Sequence, residues 1–220
     1  MLETTTIDFL KNLKKNNNKA WFDENRSKYE ASKTDFTSLV AQVIKDLSKM
    51  DIRYESLEAK KCIFRLNRDV RFSKNKSPYK TNFGASFSIG GKKSGNAGFY
   101  FHIEPENNFI GGGIWMPEAD TLKKIRQEID YNFKDFEKII TTKDFIKYYQ
   151  KLSEDEKLKN PPKGYDKENI AIEYLKLKSF VVGAQLNDND LIKKDLSKKI
   201  HEHFKVLMPF IQFLNQALHS

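Results

Sequence analysis

The stretch that decides the fold is residues 83–104, FGASFSIGGKKSGNAGFYFHIE. Its two ends alternate between apolar and small or polar residues, which predicts two half-buried strands. The glycines and lysines between them predict a hairpin connection. In this register one face carries Phe83, Ala85, Phe87, Ile89, Phe99, Phe101 and Ile103. The opposite face carries Gly84, Ser86, Ser88, Tyr100, His102 and Glu104.

Helical periods flank this strand segment on both sides. Residues 4–50 repeat their apolar side chains every three or four positions, and this period returns after Pro117. The sequence therefore predicts an α+β fold, in which an antiparallel sheet over about residues 62–116 packs against N- and C-terminal helices. Residues 179–184 are a candidate further strand. We expect a single domain over residues 1–220, because no linker or repeat interrupts the chain.

The segment 63–72 carries the same alternation in a basic context. Its apolar parity holds Phe64, Leu66, Val70 and Phe72, and its polar parity holds Arg65, Asn67, Asp69 and Arg71. This pattern predicts a strand whose polar side chains join the polar face of the sheet. Residues 73–80 lack aliphatic side chains, which predicts a loop.

Composition excludes several classes of protein. Hydrophobic residues make up 39% of the chain and charged residues 31%, which is typical of a globular protein and not of a disordered one. No apolar run approaches the roughly 20 residues that span a bilayer, so we expect no membrane partner. Cys62 is the single cysteine and cannot close an internal disulfide, which favours a cytoplasmic location. Its apolar neighbours suggest a small core residue.

The net charge of +9 is concentrated in one segment. Residues 60–93 hold ten basic side chains and one acidic side chain, whereas the rest of the chain is balanced. Such a local potential attracts phosphates, carboxylates, nucleic acid or an acidic protein. A lysine-rich solubilising face is the plainer interpretation, although arginine is the side chain suited to bidentate contacts with anions.

These patterns define a candidate site on the polar face of the sheet. Three arginines are expected to clamp an anion, and two lysines of the following loop to close over it. The ligand-binding candidates are Arg65, Asn67, Arg68, Arg71, Lys76, Tyr79, Lys80, Ser86 and Tyr100. The candidates for proton transfer are His102, Glu104 and Asp69.

Metal and cofactor signatures are not found in the sequence. His201 and His203 are two positions apart on a predicted helix and point to different sides, and neither paired cysteines nor an H-E-x-x-H motif is present. The glycines at 111–113 lack the spacing of nucleotide-binding loops. Close approach of a neighbouring strand or of a ligand explains them instead. We therefore predict neither a metal nor a cofactor.

Four stretches of the chain carry a family resemblance. They are residues 9–29 with Asn17–Asp23, residues 65–80 from Arg65 to Lys80, residues 100–117 from Tyr100 to Pro117, and residues 162–180 with Pro162–Asp166 and Lys178–Phe180. On these motifs the chain resembles the bacterial and fungal proteins of domain-of-unknown-function family 2461. The resemblance covers nearly the whole chain and implies no particular reaction.

The leading functional hypothesis is a basic anion-binding pocket for a phosphorylated or carboxylate small molecule. Whether the protein is an enzyme stays open at this point. One alternative is a nucleic-acid-binding module, because basic and aromatic residues interleave at Arg71–Phe72 and Tyr79–Lys80. The other is an interaction protein whose basic loop docks an acidic partner. The sequence indicates no oligomeric state.

Overall fold

The computed structural model describes residues 1–219, and of His219 the backbone only. Over these residues the chain forms ten α-helices, a short 3-10 helix and four β-strands. The strands make one antiparallel sheet with the order β1-β2-β3-β4. This confirms the α+β class and the antiparallel sheet.

Three strands lie within the predicted sheet segment, residues 62–116, and the fourth forms at the candidate further strand, residues 179–184. They are β1 Phe83–Ser88, β2 Gly98–Ile103, β3 Asn108–Ile114 and β4 Phe180–Leu186. The helices of the N-terminal region are α1 Thr4–Lys15, α2 Lys19–Glu24, α3 Arg26–Met50, the 3-10 helix Ile52–Ser56 and α4 Ala59–Cys62. The later helices are α5 Ala119–Tyr131, α6 Phe133–Ile140, α7 Lys143–Tyr149, α8 Ile172–Leu175, α9 Asp188–Leu191 and α10 Leu196–His219.

Contacts along the backbone divide the chain into two compact units. The first unit consists of Met1–Lys92, Tyr100–Ile110 and Gln185–Glu202. The second unit consists of Lys93–Phe99, Gly111–Ala184 and His203–Ser220. A single domain over residues 1–220 therefore stays a prediction.

The core of the first unit forms where α3 meets the sheet. The apolar stripe of α3 is buried along its length, as its spacing predicts. Phe36 of this helix stacks on Phe83 of β1 and on Phe101 of β2, with ring centroids 5.5 and 6.1 Å apart. These three rings are buried, so the odd-numbered side chains of both strands point inward. The even-numbered side chains are left on the other face, which confirms the predicted register of β1 and β2.

The predicted strand over residues 63–72 is wrong. Within the described residues this segment makes two isolated antiparallel bridges, Ile63 to Ala85 and Asn67 to Tyr79. Phe72 is 96% exposed, although the alternation placed it on the core face. Backbone hydrogen bonds hold its first part to residues 78–84, from Phe64 to Gly84, from Arg68 to Pro78 and from Lys80 to Leu66. Beyond Arg68, side-chain hydrogen bonds to the backbone of the same loop organise the segment.

Cys62, the last residue of α4, is buried. Burial raises the pKa of its thiol to about 11. The interpretation of Cys62 as a small core residue is confirmed.

Close backbone approach in the second unit explains the three glycines of β3. A Cβ on Gly112 would lie 2.7 Å from the carbonyl oxygen of Gly98 and 2.8 Å from Leu207. A Cβ on Gly111 would overlap the carbonyl oxygen of Val182, in β4. A neighbouring strand therefore fills the space that these glycines leave, and not a ligand.

Replacing Gly111 by alanine tests this packing. We expect the free energy of unfolding to fall by about 3 kcal/mol, because the backbone of Val182 has to move. Gly95→Ala is the matched control, since its Cβ meets nothing within 4 Å and adds only the strain of φ +77°, about 1–2 kcal/mol. Urea unfolding followed by circular dichroism measures both variants. Equal losses would contradict the close packing at Gly111.

Candidate functional site

A half-buried histidine lies on the polar face of β2. The side chain of His102 is 12% exposed, and both of its ring nitrogens have hydrogen-bond partners. Nδ1 lies 3.2 Å from the amide nitrogen of Asn82 and 3.1 Å from the hydroxyl of Tyr100. An amide nitrogen can only donate, so Nδ1 accepts and the ring proton is on Nε2. Nε2 points to Glu104, 3.5 Å away.

Glu104 is held by three donors. Its Oε1 accepts from the hydroxyl of Thr81, and its Oε2 accepts from the Asn107 amide at 3.1 Å and from His102. The backbone N–H of Glu104 donates to Asn108 at 2.9 Å, which fixes the strand end from which the carboxylate projects. These contacts orient the carboxylate toward the imidazole ring.

The environment sets the charge state of this pair. Burial lowers the pKa of His102, and so does the charge of Lys80, whereas Glu104 raises it; the pKa stays below its ordinary value of 6.5. Burial alone would raise the pKa of Glu104, but the hydrogen bonds from Thr81, Asn107 and His102 bring it below its usual range. At neutral pH the pair is therefore a neutral imidazole beside a carboxylate.

The aromatic rings of Tyr100 and Phe109 pack against His102. His102 stacks on Phe109 with ring centroids 4.7 Å apart, and Phe64 meets Tyr100 edge-on at 6.0 Å. A Cβ on Gly84 would overlap the hydroxyl of Tyr100, so the room that this glycine leaves is filled by the tyrosine ring. Burial raises the pKa of Tyr100 to about 12, and Glu104 adds to the effect. Tyr100 therefore stays a phenol, able to donate to His102.

Two cations lie beside the ring of Phe64, and the charge of Arg65 acts on one of them. The ammonium groups of Lys80 and Lys92 lie 5.5 and 4.9 Å from the centroid of the Phe64 ring. Burial lowers the pKa of Lys80, and the charges of Arg65 and Lys92 lower it further. No carboxylate of residues 1–219 lies within ion-pair distance of Lys80 or Arg65. We call Arg65, Lys80, Tyr100, His102 and Glu104 the His102 site.

The loop over residues 68–77 is closed by its own side chains. Arg68 donates to the carbonyl oxygen of Ser77 at 3.0 Å and to the hydroxyl of Ser73 at 3.3 Å. Lys76 donates to the carbonyl oxygen of Val70 at 3.0 Å. Each of these predicted anion contacts is therefore engaged with the loop itself.

Asp69 and Arg71 pair with each other at the surface of the same loop. Their closest approach is 2.7 Å, and the side chains are 45% and 76% exposed. The pKa of Asp69 is lowered by its hydrogen bonds from Arg71 and by the charge of Arg65. Asp69 is thus linked electrostatically to Arg65. Within residues 1–219 its hydrogen bonds go to Arg71 and none joins it to His102.

The other predicted site residues have mainly structural surroundings. Tyr79 is buried, and its ring stacks on Phe22 at 4.1 Å. Asn67 is exposed and pairs with Tyr79 in an isolated bridge. Ser86 is half-buried with its hydroxyl 3.4 Å from that of Ser88. The role of each as a ligand contact stays a prediction.

Sequence reasoning missed several partners of His102 and Glu104. They are Thr81, Asn82 and Asn107, together with the stacking ring of Phe109. A possible signal was the Thr81-Asn82 pair directly before β1, since polar residues at a strand end often serve a neighbouring strand. The pairing of β1 with β2 was needed to place them.

The described residues contain no group of three or more histidine, cysteine, aspartate or glutamate side chains arranged to hold a metal ion. The His219 side chain lies outside this description. In the part of the chain that the structure covers, the helices are all too short or too polar to cross a lipid bilayer.

The titration of His102 tests the charge arrangement. Histidine ring signals followed by NMR should give a midpoint below pH 6.5, because burial disfavours the imidazolium. Glu104→Gln should lower the midpoint further, since the carboxylate stabilises the protonated ring. Lys80→Met should raise it, since a repelling cation is removed. Lys74→Met, at an exposed position of the loop, is the control. A fall in the midpoint for Lys80→Met would show that Lys80 does not act on His102.

Comparisons with known proteins place the chain in a family. No curated protein and no solved structure matches it. The family model described as "Conserved hypothetical protein (DUF2461)" matches residues 5–213, which include the whole of the His102 site and nearly the whole chain. The motifs of the sequence predicted this family, and the chain belongs to it.

Proposed function

We propose that the His102 site binds a small molecule bearing a phosphate or carboxylate group. The observation that carries the proposal is the position of Lys80, whose ammonium lies beside the Phe64 ring together with that of Lys92, with no carboxylate at ion-pair distance from Lys80 among residues 1–219. Like charges at close range repel, and Lys80 is also partly withdrawn from water. A bound oxyanion relieves both costs.

The half-buried His102–Glu104 pair supports a chemical role beside the anion. A neutral imidazole oriented by a carboxylate is the arrangement of a general base, because the carboxylate stabilises the imidazolium that forms. His102 takes a proton on Nδ1 once the hydrogen bond from Asn82 or Tyr100 to this nitrogen breaks. We infer that His102 moves a proton to or from the bound molecule, and that Glu104 positions and stabilises it.

Titration with inorganic phosphate and with succinate tests the binding step. We expect one of the two to shift the NMR signals of the His102 ring in a saturable way and to raise the melting temperature. Arg65→Met and Lys80→Met should each weaken binding about tenfold, the effect of losing about 1.4 kcal/mol of charge-assisted contact.

Lys74→Met serves as the matched control, because it removes the same charge from an exposed position in the same basic segment. Its affinity should equal that of the unchanged protein. Equal weakening by Lys74→Met would indicate a diffuse field and not a site. If neither anion moves the His102 signals, the proposal is wrong.

A second candidate, binding of single-stranded nucleic acid, has one specific observation in its favour. Phe72 is 96% exposed, and the guanidinium of Arg71 lies 5.8 Å from its ring centroid. An exposed aromatic ring beside a cation is the element on which nucleic-acid bases stack.

Binding of a fluorescent single-stranded oligonucleotide at low salt tests this candidate. Phe72→Ala should weaken binding by about 1–3 kcal/mol, the usual contribution of one stacked base. Phe72→Leu is the matched variant, because it keeps an apolar side chain and removes the ring. Unchanged affinity in either variant would show that Phe72 does not stack on a base.

A further inference from the structure

Two lysine side chains converge on one aromatic ring beside the His102 site. The ammonium of Lys80 lies 5.5 Å from the centroid of the Phe64 ring, and that of Lys92 lies 4.9 Å from it. The Phe64 ring meets Tyr100 edge-on at 6.0 Å, and the Tyr100 hydroxyl lies 3.1 Å from Nδ1 of His102. A chain of contacts therefore joins both cations to the imidazole.

Hydrogen bonds fix the positions of these side chains. The N–H of Lys80 donates to the carbonyl oxygen of Leu66 at 2.8 Å, and the N–H of Phe64 donates to a carbonyl oxygen of β1 at 2.9 Å. The ammonium of Lys92 donates to the carbonyl oxygen of Ile63. Because an ammonium has three donors, this bond does not exhaust the hydrogen-bonding capacity of Lys92. The two charges are thus placed before any ligand arrives.

The carboxylate of the His102 site is already held by other donors. Both oxygens of Glu104 accept hydrogen bonds, which come from Thr81, Asn107 and His102. No carboxylate of residues 1–219 lies within ion-pair distance of Lys80. Burial lowers the pKa of Lys80, and the charges of Arg65 and Lys92 lower it further. The field that these neighbours produce at Lys80 is therefore positive.

Both ammonium groups can be reached from solvent. Lys92 is exposed, Lys80 is half-buried, and the Phe64 residue between them is 39% exposed. A small anion can therefore contact the two lysines without any opening of the core. Lys80 gains most from such a contact, because burial has already removed part of its hydration.

We propose that the ligand of the His102 site carries two negative charges, which Lys80 and Lys92 hold beside the Phe64 ring. This inference rests on the proposed function and adds to it the number of charges and a further binding residue, Lys92. A monoanion pairs with one ammonium and leaves the other beside a like charge, whereas a dianion serves both. Phosphate monoesters, with about 1.5 to 2 negative charges at neutral pH, and dicarboxylates share this chemistry.

Two pairs of probes separate charge from shape. Methyl phosphate and methyl sulfate have the same tetrahedral form, and only the phosphate gains a second charge above its second pKa of about 6. Succinate and its monoamide, succinamate, differ in the same way. Saturable shifts of the His102 ring signals in NMR, at about pH 8, report binding. At least one dianion should bind about tenfold more tightly than its singly charged partner, and the pair that shows this preference identifies the source of the charge.

The preference should depend on Lys92 in particular. Lys92→Met should reduce it to about threefold, because the second negative charge loses its partner. Lys93→Met is the matched control, since it removes the same charge from the next exposed position of the same turn, and it should keep the tenfold preference. A diffuse basic field also favours dianions, but it responds equally to both variants.

Three results would overturn the inference while leaving the proposed function intact. Equal affinities within both pairs mean that one negative charge is enough. An unchanged preference in Lys92→Met means that Lys92 does not contact the ligand. Equal losses in Lys92→Met and Lys93→Met mean a diffuse field. If none of the four probes moves the His102 signals, the proposed function and this inference both fail. The comparison within each pair uses the unchanged protein, so it stands even if melting curves show that a variant is unfolded.

Discussion

The pleat of β2 is the constraint on which the first unit depends. Successive side chains of a strand point to opposite faces. Because Phe101 is buried against Phe36, the side chain of His102 lies on the other face of the sheet. A slip of one residue would exchange the core rings of Phe99 and Phe101 for Tyr100 and His102. The register of β2 therefore places both the hydrophobic core and the His102 site. Whatever stabilises the core also holds the imidazole in place.

The sequence predicted those parts of the fold in which local pattern and neighbouring elements agree. The alternation in β1 and β2 has a partner strand to satisfy it, and the prediction is confirmed. The backbone of 63–72 is paired with residues 78–84 as far as Arg68, and beyond that point the side chains of Arg68 and Lys76 tie the loop to its own backbone. A period-two pattern therefore predicts a strand only where a neighbouring backbone is available.

The candidate site was predicted in its central residues and not in its surroundings. His102 and Glu104 share a strand, so spacing alone places them together. Thr81 and Asn82 come directly before β1 and contact Glu104 and His102 because β1 pairs with β2. The register of that pairing cannot be read from the sequence.

The burial of Cys62 has a practical consequence for the whole molecule. With a thiol pKa of about 11, roughly one molecule in ten thousand carries the thiolate at pH 7. Because the chain has a single cysteine, alkylation by a maleimide reports one event, the opening of the structure around α4. The protein thus contains its own reporter of native-state fluctuations, readable by mass spectrometry without any introduced label.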